Sequence, residues 1–255
     1  MSSTSMPGTD RAPDLTVVVP VYRNAASLAE LAARLDLALA GRSYELLFVD
    51  DASPDDAGAV IRRLAGEDPR VCGIALAANI GQNRAVLAGL AHARGDAVAV
   101  MDGDLQDPPE VLPVLLSRLD QDGADAVFGT RRGRYETRWR LATGRVLKLV
   151  LWAMTFGKLP PNAGLFLVMR RAVAEQMVAV AGSDPYVLVL VARAANAVAR
   201  VPAQRARTGV SSYTGAMRRR VARRALASAF RRDTGTQSYE VAERIGRRFA
   251  GEHAA

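Results

Sequence analysis

From Leu15 to Phe128 the chain alternates short apolar, β-branched runs with longer stretches whose apolar residues recur at helical spacing. Leu15–Val21 (LTVVVPV) reads as a buried parallel strand. Ser27–Leu39 reads as a helix with Ser27 as its N-cap. Tyr44–Val49 predicts a second strand closed by Asp50 and Asp51, Asp55–Ala65 a helix, Val71–Leu76 a third strand and Gln82–Arg94 another helix. Ala97–Met101 predicts a fourth strand ending in Asp102-Gly103-Asp104, followed by a helix over Pro109–Leu119 and a strand over Ala124–Phe128. Strands and helices in turn, joined by short connections, predict an α/β fold: a doubly wound, mostly parallel sheet with helices on both faces. Such sheets bind ligands beyond the carboxyl ends of their strands. There the polar residues collect: Tyr22, Asp50, Asp51, Asn79, Asp102 and Asp104.

Beyond residue 130 the pattern changes. Arg131–Arg140 is basic and turn-like, Leu141–Phe156 reads as an amphipathic to apolar helix, and Pro160-Pro161 ends it. Gly164–Met169 predicts a strand, Ala172–Val180 and Val187–Ala195 helices, and Val198–Pro202 a short strand. Arg205–Gly215 is a polar loop and Ala216–Arg232 a basic helix. The expected organisation is a disordered N-terminus over 1–14, one domain over 15–215, and a basic helix and tail over 216–255.

Composition sharpens this picture. With 49% hydrophobic and 24% charged residues, the chain is neither disordered, collagen-like nor disulfide-stapled. Its single cysteine, Cys72, forms no internal disulfide and starts a core strand, where burial explains it. The apolar runs Leu147–Phe156 and Tyr186–Ala192 are too short to span a bilayer, and Met1–Asp14 has no signal-peptide core. The expected location is cytoplasmic, with peripheral contact on the inner face of a membrane as an option. The net charge of +8 is concentrated at one end, because residues 200–255 carry 13 arginines against 4 acidic residues. That imbalance fits either an anionic partner or a solvated arginine-rich helix. Nucleic acid is not expected, since few aromatics interleave the basic segment.

Asp102-Gly103-Asp104 is the most informative tripeptide. Two carboxylates at i and i+2, just past a buried strand, can bring oxygen ligands to one hard divalent cation. Alone the pattern is weak, because short acidic turns are common, and Asp50 and Asp51 equally suit a helix cap. No G-x-G-x-x-G follows the first strand and no P-loop string occurs, so dinucleotide oxidoreductases and P-loop NTPases lack their phosphate loops here. His92 and His253 are too few and too far apart for a metal site or triad.

Taken together, the strings VVVPVYRNAASL (17–28), YELLFVDDASPD (44–55), NIGQNRAVLAGLAHARGD (79–96), MDGDLQDPPE (101–110) and VFGTR (127–131), with a looser RTGVSSY (207–213), resemble the family 2 glycosyltransferases. The resemblance is specifically to their polyprenyl-phosphate branch, typified by dolichol-phosphate mannose synthase. It implies a GT-A fold and inverting transfer from a nucleotide-diphosphate sugar, assisted by Mg²⁺ or Mn²⁺. It implies that Pro20, Tyr22, Asp50 and Asp51 line the nucleoside pocket, and that Asp102 lies near the diphosphate. Asp104 would ligate the metal, with Asp102 and Gln106 completing that corner. Arg207 would reach the diphosphate, and Arg131, Arg140 and Thr143 the acceptor phosphate, the last two as loose matches. Arginine suits both tasks through its bidentate, permanently charged guanidinium.

The match weakens in the acceptor half. Many relatives carry Asn-x-Gly-Asp-Phe-Arg-Leu where this chain has Asn162-Ala163-Gly164-Leu165-Phe166-Leu167-Val168. A basic loop residue of the relatives is Ser212, and an Arg-Gly pair is Val187-Leu188. Losing the acidic residue removes a candidate general base for a hydroxyl acceptor but matters less for an ionised phosphate. Polyprenyl phosphate is therefore the leading acceptor and a soluble small molecule the alternative. A non-catalytic nucleotide-sugar-binding protein is the alternative of another class. The helix-like stretch from Trp139 to Phe156, with Trp152 inside it and basic flanks, reads equally as an interfacial helix or as one packed on the sheet.

Overall fold

Four hydrophobic runs in parallel form the centre of the molecule: β1 (Leu15–Val21), β2 (Tyr44–Asp50), β3 (Val71–Leu76) and β4 (Ala97–Val100). The computed structural model describes residues 12–131, 152, 155, 157–160, 162–182, 185–203 and 239–250. Arg140, Thr143, Arg207, the basic helix expected at 216–232 and most of the 141–156 stretch lie outside these residues. β5 (Ala126–Arg131), β6 (Ala163–Arg170), β7 (Val198–Ala203) and β8 (Val241–Ile245) complete an eight-stranded sheet of order β7-β5-β6-β4-β1-β2-β3-β8. β1 is parallel to both its neighbours, with Leu15 opposite Tyr44 on one side and Ala97 on the other. β6 runs antiparallel to β4 and β5, and β8 antiparallel to β3.

Every residue of β1, β2 and β4 is buried, as expected of strands covered on both faces. Alternate side chains enter two cores. Val17, Val19 and Phe48 meet α1 (Ala25–Ala38), α2 (Ala57–Glu67) and α4 (Leu112–Gln121) through Leu31, Leu35, Ile61 and Leu115. Val18, Leu47 and Val49 meet α3 (Gln82–His92), α5 (Arg171–Val180) and α6 (Val187–Ala194) through Val86, Met177 and Val189. Cys72 lies in this second core, where burial pushes its thiol up to about 12 and leaves it unreactive at neutral pH. His92 packs its ring near Tyr239 and Phe249.

The structure departs from the sequence pattern at three places. α1 begins at Ala25 with Asn24 as its N-cap residue, and Ser27 donates instead to the Gly103 carbonyl at 2.5 Å. A 3₁₀ turn over Pro109–Val111 precedes α4, entered through the paired prolines at 108 and 109. Residues 241–245, which the pattern leaves in the tail, form the edge strand β8. Just beyond it Arg248 donates to Glu45 Oε2 at 3.1 Å and to the His92 carbonyl. Glu45 also takes the Thr16 hydroxyl at 2.6 Å and the Arg94 guanidinium at 3.1 Å, at the amino ends of β1 and β2.

Candidate functional site

The sheet order places β4 beside β1 and β2 on the opposite flank, so the winding reverses between β1 and β4. The carboxyl ends at that switch are where an open α/β sheet receives ligands. A cleft of about 330 Å³ opens there, lined by Pro20, Val21, Tyr22, Asn24, Asp51, Asn79, Gly81 and Gln82.

Three non-glycine residues have left-handed backbones among the described residues: Arg23 (φ 60°), Ala52 (φ 49°) and Leu105 (φ 60°). Each lies just past the carboxyl end of a strand beside this cleft: β1, β2 and β4 respectively. Such conformations cost free energy and persist only where their surroundings hold them. Hydrogen bonds between loops do so here. The Arg23 amide donates to Ser53 Oγ at 2.7 Å, and the Ser53 hydroxyl donates to Asp55 Oδ1 at 2.5 Å. Asp55 Oδ2 takes the Ala25 amide at 2.9 Å, so the β2–α2 turn also caps the start of α1.

Asp50 and Asp51 face different ways, as neighbours on a strand end must. Asp50 accepts the Ser53 amide at 2.8 Å, and its second oxygen faces Gly58 of α2; it does not line the cleft. Asp51 lines the cleft and accepts the Ile80 amide on Oδ1 at 2.7 Å and the Gly81 amide on Oδ2 at 2.9 Å. Burial raises both carboxyl pKa values above the ordinary range, against the pull of these amide donors. Tyr22 is 43% exposed at the cleft mouth, beneath the Arg23 guanidinium 5.4 Å from its ring centre.

Past β4, Asp102 accepts the Gln82 side-chain amide at 2.6 Å, and Asp104 accepts the Gln106 backbone amide at 3.1 Å. The loop is tied back to α1 by Ser27 and by a bidentate pair in which Arg34 holds Glu110 through two bonds of 2.8 Å. Arg34 keeps the Glu110 carboxyl below its usual range. Among the described residues no group of three or more His, Cys, Asp or Glu is arranged to hold a metal ion by itself. The donor set of Asp102 and Asp104 nonetheless suits Mg²⁺ or Mn²⁺, which are commonly held by one or two carboxylates, with substrate phosphates and water completing the shell.

Arg131 ends β5 opposite Ala203 of β7. Leu167 is fully buried and Leu165 packs half-buried against the same core. The Val187 amide donates to Asn83 Oδ1 at 3.0 Å, which ties α6 to α3. Two further residues line the cleft: Gln82, which the sequence marks only weakly as opening a helix beside Gly81 near a ligand, and Asn24, whose one signal is a polar side chain in the turn after a buried strand.

A doubly wound sheet with its cleft and paired carboxylates at the switch point is the arrangement expected of a GT-A type domain. The glycosyl transferase family 2 model matches residues 16–178, and the chain belongs to that family. Among curated relatives, the undecaprenyl-phosphate 4-deoxy-4-formamido-L-arabinose transferase of Klebsiella pneumoniae is 32% identical over 206 residues, covering 78% of this chain and 62% of the relative. That of Pseudomonas aeruginosa is 35% identical over 179 residues, covering 69% and 52%. The chain thus spans less than two thirds of the length of these relatives. Glucosyl-3-phosphoglycerate synthase from Mycobacterium tuberculosis, in complex with Mn²⁺, UDP and phosphoglyceric acid, superposes with a TM-score of 0.63 at 20% identity, over 86% of this chain and 79% of that one. S. aureus TarS with UDP-GlcNAc gives 0.55 at 17% identity, over 86% and 68%. These two similarities establish the GT-A fold. Among the described residues no helix is long and apolar enough to cross a membrane.

Proposed function

We propose that this chain is a glycosyltransferase that moves a sugar from a nucleoside-diphosphate sugar to a polyprenyl phosphate, with inversion at the anomeric carbon. The observation that carries this reading is the meeting, at one switch point, of a nucleoside-sized cleft around Asp51 and Tyr22 with the Asp102–Asp104 turn. The relatives named above as undecaprenyl-phosphate transferases support the acceptor class.

In this reading Tyr22, Pro20 and Asp51 hold the nucleoside. Asp102 and Asp104 hold Mg²⁺ or Mn²⁺, which when bound neutralises charge growing on the departing diphosphate. The ionised acceptor oxygen attacks the anomeric carbon from the face opposite the diphosphate. The new C–O bond forms as the old one breaks, and the nucleoside diphosphate leaves with the electron pair. An acceptor that arrives ionised needs no general base, which accommodates leucine at 165 and 167. Arg131, Arg140 and Thr143 are assigned to the acceptor phosphate, Gln106 to the metal corner and Arg207 to the diphosphate. Trp152 is 47% exposed, and its ring lies against Gly157 in a groove shared with Lys158 and Arg200; an exposed indole beside cations supports peripheral contact with a membrane.

A second reading, a soluble phosphorylated acceptor, draws on the neighbour crystallised with phosphoglyceric acid. The test is thermal stabilisation by UDP, GDP, dTDP, CDP and ADP, each with and without Mn²⁺. One nucleotide is expected to raise the melting temperature, and to need the metal to do so. Asp104→Asn should remove the metal-dependent part while leaving the unliganded melting temperature in place; an unchanged response would overturn the metal assignment. Partition of the labelled sugar product into organic solvent separates the lipid acceptor from the soluble one. Nucleotide binding without turnover on any acceptor would favour a non-catalytic binding protein.

A further inference from the structure

Asp51 and Asp102 sit at the ends of β2 and of the strand two places away, with β1 between them. Neighbouring strands are about 4.8 Å apart, so these ends are separated by roughly 10 Å. A continuous set of hydrogen bonds nevertheless joins them. The Asp51 amide donates to the Val21 carbonyl at 2.9 Å, which seats it on the end of β1. Its two carboxylate oxygens take the Ile80 and Gly81 amides, and Asn79 Nδ2 donates back to the Asp51 carbonyl at 3.1 Å. The three residues before α3 are thereby held to Asp51, with Gly81 in a left-handed conformation (φ 89°) that favours glycine. Gln82 follows at once. From there its side chain donates Nε2 to Asp102 Oδ1 at 2.6 Å.

Gln82 lies on the surface, where a long flexible side chain loses rotamer entropy by settling in one place. A short bond to a carboxylate offsets that loss, since hydrogen bonds to charged groups are the stronger kind. A neutral amide suits this position. It donates to Asp102 and orients the carboxylate, yet it adds neither a cation that would compete with a metal nor an anion that would repel a diphosphate.

We infer that Gln82 is a positioning residue that fixes the Asp102 carboxylate, and that Asp51 acts on that same carboxylate by holding the Ile80–Gly81 turn that aims Gln82. The nucleoside end of the cleft is thus coupled to its diphosphate end. This inference rests on the donor-site reading above, and its test separates the two.

The probe is Mn²⁺ titrated against the full chain with whichever of UDP, GDP, dTDP, CDP or ADP stabilises the wild type. Gln82→Leu, which is apolar and has no donor, should keep the unliganded melting temperature and raise the Mn²⁺ concentration for half-maximal stabilisation about tenfold, the loss of one charge-assisted hydrogen bond. Gln82→Asn keeps the amide but falls short of Asp102, and it should follow Gln82→Leu. In a cycle with Asp102→Asn, read as nucleotide affinity at fixed Mn²⁺, Gln82→Leu should have no further effect, because the residue it acts through is already changed. A wild-type response that Gln82→Leu leaves unchanged, or effects that add in the double variant, overturns the relay alone. No wild-type response to any of the five nucleotides overturns the donor site and the relay with it.

Discussion

At the end of β2, two adjacent aspartates show how far one residue's surroundings decide its role. Burial raises the Asp50 carboxyl, so the folded chain binds that proton more tightly than the unfolded one. Its contribution to stability is present at low pH and is lost as pH rises through the folded-state value, which lies above the ordinary carboxylate range. Asp50→Asn keeps an acceptor for the Ser53 amide and removes the buried charge. The variant should therefore be at least as stable as the wild type at pH 7, with the gap closing toward pH 4, as measured by urea unfolding across that range. Asp51→Asn is different. It retains one acceptor for two backbone amides, and leaving one unpaired should cost about 1 kcal/mol in the same assay. Glu110 has the opposite sign to Asp50: held low by Arg34, it stabilises the fold above the ordinary carboxylate range and loses that effect on acidification. The doublet of acids was legible in the sequence, but which of them faces the cleft was not.

At the scale of elements, α3 carries the most consequence. Its limits follow from a turn glycine and a helical run of apolar residues, so the sequence predicts it nearly to the residue. What the pattern does not reveal is how closely it lies on the sheet. A Cβ at Gly89 would stand 2.4 Å from Val18 Cγ1 and 2.9 Å from Val49 Cγ2. Gly89→Ala should push α3 off β1 and β2, destabilising the protein by about 1–3 kcal/mol despite alanine's better helix propensity. Because Gln82 opens the same helix, the variant should also weaken metal-dependent nucleotide stabilisation. β8 shows the converse failure. It is a five-residue edge strand with Ala242, Glu243 and Arg244 exposed, so it presents no apolar run to read.

For the whole molecule, the segment around β8 closes one sheet edge and then reaches the end of the sheet opposite the site. Arg248 and Glu45 are both nearly excluded from water, with side chains 10% and 5% exposed. Removing one partner of a buried pair leaves an uncompensated charge. Arg248→Ala should therefore cost about 3 kcal/mol by denaturant unfolding. Thr16 and Arg94 still serve Glu45 in that variant, which keeps the loss at the lower end for a broken buried pair. Since the anchor lies at the amino ends of the strands, nucleotide stabilisation should persist in the folded fraction.

The sequence by itself determined the alternation of strand and helix from Leu15 to Phe128, the end of the sheet at which the cleft opens, and the family. Each of these rests on local signals: the two periodicities, the turn residues, and short strings such as MDGDLQDPPE that sit in one loop. Only the tertiary structure decided the strand order with its switch between β1 and β4, the opposite orientations of Asp50 and Asp51, the Gln82–Asp102 bond and the pairing of Arg248 with Glu45. These join residues 20 to 203 positions apart. Their partners are chosen by packing across the sheet, and no local pattern along the chain encodes that choice.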